Sequence, residues 1–499
     1  MFQKITRLIR HTLIYGLGNS GSRLVGFLLL PLYTYYLRPE DYGVLALVSV
    51  FTQILFTVTS LGQGTAVFRR YFTHEDPAER DAVLTTALWL LLMLSFPIGL
   101  GVLAFSRPLS ILLTGSAEYT GWVMLGIGAV LFKVLLRLPL AALRAREESW
   151  RYAASSLAQT SASLVLAVVF VAGLHLGGAG VLLSQLLAEA LVAVYLLPLV
   201  FYGLRLRFAK EDARDMLGYT AYGMPSSVFG FLLHMSDRFF LKHYATLHAV
   251  GLYALGYRFG EILAFGMWAF KLAWQPFVFE NRKGEDAPVL YARVCTYVAA
   301  ILGFAWLVVS LLAPEVIAII ARPSYLEAHR IVPWIAAAFV FQGFAQVTNT
   351  GIVLHRKVRY RPVIVGTAAA VNLGLNFVLV PRFGMMGAAV SSCASFFVWF
   401  VLQAYVGNRL YPVPYEYGRA LRALGVSVAL YAVGSFIAGG SLLATLGGKS
   451  LLILAWPLCL YATGFFGPGE LARLRRVLEV ARSRRRALPE APEAPGAGE

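Results

Sequence analysis

The stretch YGLGNSGSRLVGFLLLPLYTYYLRPEDYGVLALVSVF, Tyr15 to Phe51, decides the fold. Two apolar runs flank one polar break, Arg38-Pro39-Glu40-Asp41. About 20 mostly apolar residues cross a bilayer as a helix. The stretch therefore predicts a pair of spanning helices joined by a short turn. Arg23 sits in the middle of the first run. A charge in hydrocarbon costs roughly 2.5–3.5 kcal/mol on insertion scales, so it is retained mainly where it faces a wet interior. No small-residue cleavage site follows this run, so it reads as a retained helix and not a signal peptide.

The rest of the chain repeats that pattern. Of its 499 residues 58% are hydrophobic and 14% charged, against about 25% charged in a soluble domain. Spanning helices are expected near 12–36, 44–67, 82–105, 119–142, 152–175, 177–202, 218–241, 249–274, 289–313, 328–354, 360–380, 384–406, 416–438 and 448–467. The fold class is an all-α polytopic membrane protein of about fourteen helices. Its parts are an N-lobe (1–202), a basic cytoplasmic linker (203–217), a C-lobe (218–408), two extra helices (409–467) and a basic tail with a disordered end (468–499). Net charge is +17. Thirty of the 43 Lys and Arg fall in loops on the amino-terminal side of the membrane and seven in loops on the other. That bias predicts both termini in the cytoplasm. It also explains the net charge without nucleic acid. Cys295, Cys393 and Cys459 lie in apolar runs at unrelated spacings and read as buried small residues.

An internal repeat is visible. Tyr36, Gly43, Ala46 and Leu47 recur 208 residues later as Tyr244, Gly251, Ala254 and Leu255. Pro108 and Tyr119 recur after 206 as Pro314 and Tyr325, and Gly177, Gly180 and Ser184 after 207 as Gly384, Gly387 and Ser391. Six helices per repeat make the two halves parallel, related by an axis along the membrane normal, with the cargo site between them.

Charged residues inside spans are the candidate site. The basic ones are Arg23, Lys133, Arg137, Arg258 and Lys271, and the acidic ones Glu189, Asp237 and Glu261. Asn19 shares a helical face with Arg23, and Gln53 lies on a polar face of the second helix. Lys133 and Arg137 are one turn apart and repel unless water or an anion separates them. Basic side chains in a polar cavity point to an anionic cargo, with Arg offering a planar donor fork to phosphate oxygens. An internal ion pair for Arg258 with Glu261 and snorkelling for Lys271 are equally good readings. Glu189, Asp237 and Glu261 are candidate ion-coupling residues.

The Tyr15–Phe51 stretch resembles the first two helices of the Wzx-type polysaccharide-transporter flippases, of the multidrug/oligosaccharidyl-lipid/polysaccharide exporter superfamily. NLGLNFVLVPRFGMMGAAVSS (Asn372 to Ser392) is similar to that family's eleventh-to-twelfth helix junction, and MSDRFFL (Met235 to Leu241) to its seventh-helix end. The resemblance implies a non-enzymatic flippase that carries an undecaprenyl-pyrophosphate-linked oligosaccharide from the inner to the outer leaflet of a bacterial cytoplasmic membrane, for O-antigen, capsule or exopolysaccharide. Its partners would be that lipid-linked glycan, membrane lipids, and a polysaccharide polymerase with other assembly proteins. No cofactor is expected beyond coupling to Na+ or H+, and no nucleotide motif G-x-x-x-x-G-K-[ST] occurs. Arg23 and Arg258 match positions that carry Arg in the related lipid II flippases, but those proteins' second-helix Arg has no counterpart here. Lipid II transport and cation-coupled drug export are the alternatives.

Overall fold

The computed structural model describes residues 26, 28–60, 63–355, 357, 359–437, 441–467 and 470. Asn19, Arg23, most of the expected first helix and nearly all of the tail lie outside them. Every regular element among the described residues is helical. Among the described residues ten helices are long and apolar enough to cross a membrane. One of these, Tyr360–Leu410, is 51 residues long. At ~1.5 Å per residue it would be roughly two and a half times the ~30 Å of a bilayer core. Gly384 breaks it with φ 54°, and Val365 and Phe396 on either side share one apolar cluster. It is therefore two spans folded back on each other.

Local chemistry sets the helix starts. Pro39 opens Pro39–Thr59 with Glu40 and Asp41 in the first turn, where fixed φ and negative charge both favour a start. This is five residues earlier than hydropathy places it, because the Arg38–Asp41 break is a cap and not a loop. Asp76 caps Pro77–Leu90 by accepting from Ala78 N at 3.3 Å, and Thr246 caps Leu247–Asn281 by accepting from Ala249 N at 3.2 Å. The seventh expected helix is two: Lys210–Met235 and Asp237–Tyr244.

Two compact units share the chain. One holds Met1–Gly284 and Leu312–Pro412, the other Glu285–Leu311 and Val413–Glu499. In the second unit Ala300, Ala423, Leu460 and Phe465 form an apolar cluster. Trp456 Nε1 donates to Ser427 Oγ at 2.9 Å. Lys449, expected in a loop, lies inside Leu442–Ala462 and donates to the Leu311 carbonyl at 3.0 Å.

The first unit holds the first repeat and all of the second except Glu285–Leu311, which falls in the second unit, and its packing obeys their offset. Gly177 and Gly384, 207 apart, both take positive φ, 57° and 54°, which only glycine adopts without cost. Gly43 packs on the Leu247 carbonyl, and Gly251 packs on the Pro39 carbonyl. Leu247 is Pro39 plus 208, and Gly251 is Gly43 plus 208. Residue i meets j′ while i′ meets j, which is the signature of contact across a two-fold axis. The same offset joins Glu40 to His248 at 2.8 Å. The two parallel repeats thus meet at equivalent helix starts, where a Cβ on either glycine would strike backbone.

Candidate functional site: a polar cavity built on the first repeat

A cavity of about 300 Å³ lies among the spanning helices of the first unit. Lys133, Glu189, Gln53 and Arg258 line it, and all four are charged or polar residues expected at the site. Three come from the first repeat; Arg258 alone comes from the second. Sequence reading did not assign Gln159, Thr160 and Ser163 to the site, though all three also line it. Their spacing, with Gln159 and Ser163 one turn apart, was the available signal. Tyr33 and Tyr42 bring phenol groups to the wall.

Helix geometry places each group. Glu189 is buried, 8% exposed, and accepts from Gln159 Nε2 at 3.1 Å. Arg258 ion-pairs with Glu261 Oε2 at 3.0 Å while its side chain stays 59% exposed. The internal pair and the cavity position therefore hold together: the guanidinium pairs with Glu261 and hydrogen-bonds with Tyr42, itself on the cavity wall, while its side chain stays exposed. Lys133 Nζ sits 4.9 Å from the centre of the Phe56 ring, and Arg137 sits 5.4 Å from the same ring. The two cations share an aromatic face, an attraction that offsets part of their repulsion. Arg137 is exposed and does not line the cavity.

The remaining expected residues lie elsewhere. Lys271 is exposed, 13 residues after Arg258 on the same helix, about 20 Å along its axis. Asp237 is fully buried in the second repeat. Its carboxylate accepts from Tyr253 OH at 2.5 Å, Ser392 Oγ at 2.6 Å and Asn376 Nδ2 at 2.6 Å. Asn376 Oδ1 is buried and has no hydrogen-bond partner among the described residues. Arg238 stacks on Tyr257, 4.5 Å from its centre.

The repeat offsets expose an asymmetry. Lys133 plus 206 is Phe339, and Glu189 plus 207 is Phe396. Both phenylalanines are buried, with ring centres 6.1 Å apart. His234 packs edge-on against Phe396 at 4.9 Å. The space that is polar in the first repeat is filled by aromatic packing in the second.

A second set of ties lies where the first repeat meets the start of Lys210–Met235. Arg70 Nε donates to Asp212, pushing the guanidinium further up from its ordinary range. His74 contacts Asp212 at 3.1 Å and Glu79 at 2.8 Å. Asp212 is 4% exposed, so these partners satisfy a carboxylate that water does not reach.

Residues 8–280 match the family of polysaccharide biosynthesis proteins. The Lsg locus protein 1 of Haemophilus influenzae is 25% identical over 303 residues, covering 57% of this chain and 69% of that protein. The structure is similar to that of the lipid II flippase MurJ in an inward closed conformation, with TM-score 0.73 and 12% identity over 90% of this chain and 99% of that one. It is also similar to an inward-facing MATE family multidrug resistance transporter of the MOP superfamily, with TM-score 0.64 and 17% identity over 80% and 94%.

Proposed function

Because this chain belongs to the polysaccharide biosynthesis protein family, we propose that it flips a polyprenyl-pyrophosphate-linked oligosaccharide across a bacterial cytoplasmic membrane. The observation that carries this reading is the cavity with Lys133 and Arg258 on its wall among Gln53, Gln159 and Gln185. Two cations offer hydrogen bonds and charge to pyrophosphate oxygens. Glutamines and tyrosines suit hydroxyl-rich sugars. The prenyl chain stays in lipid, so the cavity need hold only the headgroup and first sugars. With Arg258 on the second repeat and the rest on the first, rocking of the repeats would change how the headgroup is held. The cargo then moves from the cytoplasmic leaflet to the outer one, with both termini in the cytoplasm.

Asp237 supports coupling to Na+ or H+. Its carboxylate supplies charge, Ser392 and Tyr253 supply hydroxyl oxygens, and Asn376 Oδ1, without a partner among the described residues, supplies another oxygen. This set lies in the second repeat, apart from the cavity lining, so drive and cargo would use different lobes. Glu189 could instead answer a proton directly in the cavity. The alternatives are lipid II and a cationic drug. A drug exporter would favour acidic walls, and here Glu189 is accompanied by Lys133 and Arg258.

The test is flipping of a fluorescent prenyl-pyrophosphate oligosaccharide in liposomes holding the full chain. Headgroup-dependent flipping, competed by prenyl pyrophosphate and not by a cationic drug, supports the reading. Flipping of drug and not of lipid would reject it.

A further inference from the structure

One surface of the first unit combines cations with an apolar trough and belongs to no part of the cavity. Its frame is the start of the Lys210–Met235 helix and the extended segment before it. Lys210, Arg214 and Gly218 follow one another at one-turn spacing, and Ala213, Leu217 and Ala221 run beside them. The alanines and the glycine leave a trough of about 570 Å³, which Phe208 also lines. The segment carrying Phe208 is pinned. The Arg207 carbonyl accepts from Thr85 Oγ1 at 2.8 Å, and Ala209 N donates to Thr86 Oγ1 at 2.9 Å.

The acidic side chains of this helix that form ion pairs turn away from the trough, and Glu211 is exposed beside Lys210. Asp212 turns to Arg70 and His74, and Asp215 turns to Arg69 at 3.7 Å. Those contacts use the acidic groups on the side away from the trough. Among the described residues neither Lys210 nor Arg214 has an ion-pair partner, and both are exposed. The adjoining segment exposes apolar and aromatic surface: Tyr202, Leu206 and Phe208 are 91%, 63% and 42% exposed. It follows directly on the spanning helix Gly177–Phe201, so this surface lies at the depth of lipid headgroups. Side chains of this kind anchor there.

We propose that this trough binds an anionic phospholipid of the bilayer, its phosphate between Lys210 and Arg214 and the upper part of its acyl chain along Ala213, Leu217 and Phe208. Charge complementarity decides the occupant. A free phosphate would have no use for the apolar floor, and a zwitterionic lipid would bring its own cation to the two basic groups. The bound lipid would rest on the same helix that Asp212 ties to Arg70, and would brace that junction from the opposite face.

Lipid retention is measured by native mass spectrometry on the full chain, with phosphatidylglycerol and phosphatidylcholine as the two probes. The expected result is selective retention of phosphatidylglycerol. Removing both charges, Lys210→Gln with Arg214→Gln, should weaken it on the order of 30-fold, at ~1 kcal/mol per basic residue near a membrane surface. Arg382→Gln, an exposed basic residue outside the trough, should leave retention unchanged. If the double variant folds poorly, Leu217→Glu in its place should exclude the lipid by charge and bulk while leaving the pairs of Asp212 intact. Equal retention of both lipids by the wild type, or unchanged phosphatidylglycerol retention in the variants, would overturn the proposal. Prenyl pyrophosphate displacing phosphatidylglycerol from this site would also overturn it, since the trough would then belong to the cargo path. The outcome is independent of flipping activity, so it stands or falls separately from the transport reading.

Discussion

Glu40 and His248 hold the same position in the two repeats, 208 residues apart, and their side chains meet at 2.8 Å. Beneath them Gly43 and Gly251 let the two helix starts touch through backbone. One end of the first unit is therefore closed by a contact that the pseudo-symmetry itself builds. An alternating transporter must open this contact once per cycle.

That requirement gives the first prediction. Glu40→Cys with His248→Cys, in a chain freed of Cys295, Cys393 and Cys459, should accept a short bis-methanethiosulfonate bridge, which joins the two thiols through disulfides. Bridging should stop transport, and reductant should restore it. Full-rate transport by the bridged protein would mean that the cargo slides past without the repeats parting.

The glycine crossing gives the second. A Cβ at position 251 has no room against the Pro39 carbonyl. Gly251→Ala should destabilise the closed form by about 1–3 kcal/mol, the usual cost of overpacking. Lower thermal stability, with bridging at positions 40 and 248 becoming slower, is the expected pair of results. An unchanged melt would show that this contact does not dominate the resting state.

Asp237→Asn tests the coupling proposal. The amide keeps the shape of a fully buried side chain but removes its charge. The variant should insert and fold, yet lose any dependence of transport on a Na+ or H+ gradient. Retained gradient dependence would move the coupling role to Glu189.

Much of this was readable from the chain, for physical reasons. Hydropathy marks spans because bilayer thickness fixes their length, and the constant offsets carried the parallel repeats. Lys133, Glu189, Gln53 and Arg258 were readable because charge and amide are costly among apolar residues. Gln159, Thr160 and Ser163 were less visible, since such residues also serve helix packing. The role of Phe56 was hidden entirely: nothing in a sequence shows that one phenylalanine sits under two cations. Residue type also misleads when depth along a helix is ignored, as with Lys271, which shares a span with Arg258 but not its cavity.

The asymmetry between repeats gives a fourth prediction. Lys133→Phe with Glu189→Phe copies into the first repeat the pair that the second already packs, Phe339 and Phe396. The double variant should fold and reach the membrane while transporting nothing, because the polar cavity would be filled. Measurable transport by it would remove these two residues from the cargo path.

The central claim is that the cavity holds the cargo through its cations. Its most direct test is the rate of headgroup flipping by Lys133→Ala in liposomes, at wild-type protein density. Loss of one charge-assisted contact of roughly 1.5–3 kcal/mol should slow flipping on the order of 10- to 100-fold. Lys133→Arg should recover part of that loss. A Lys133→Ala protein that flips the lipid-linked oligosaccharide at the wild-type rate would contradict the account.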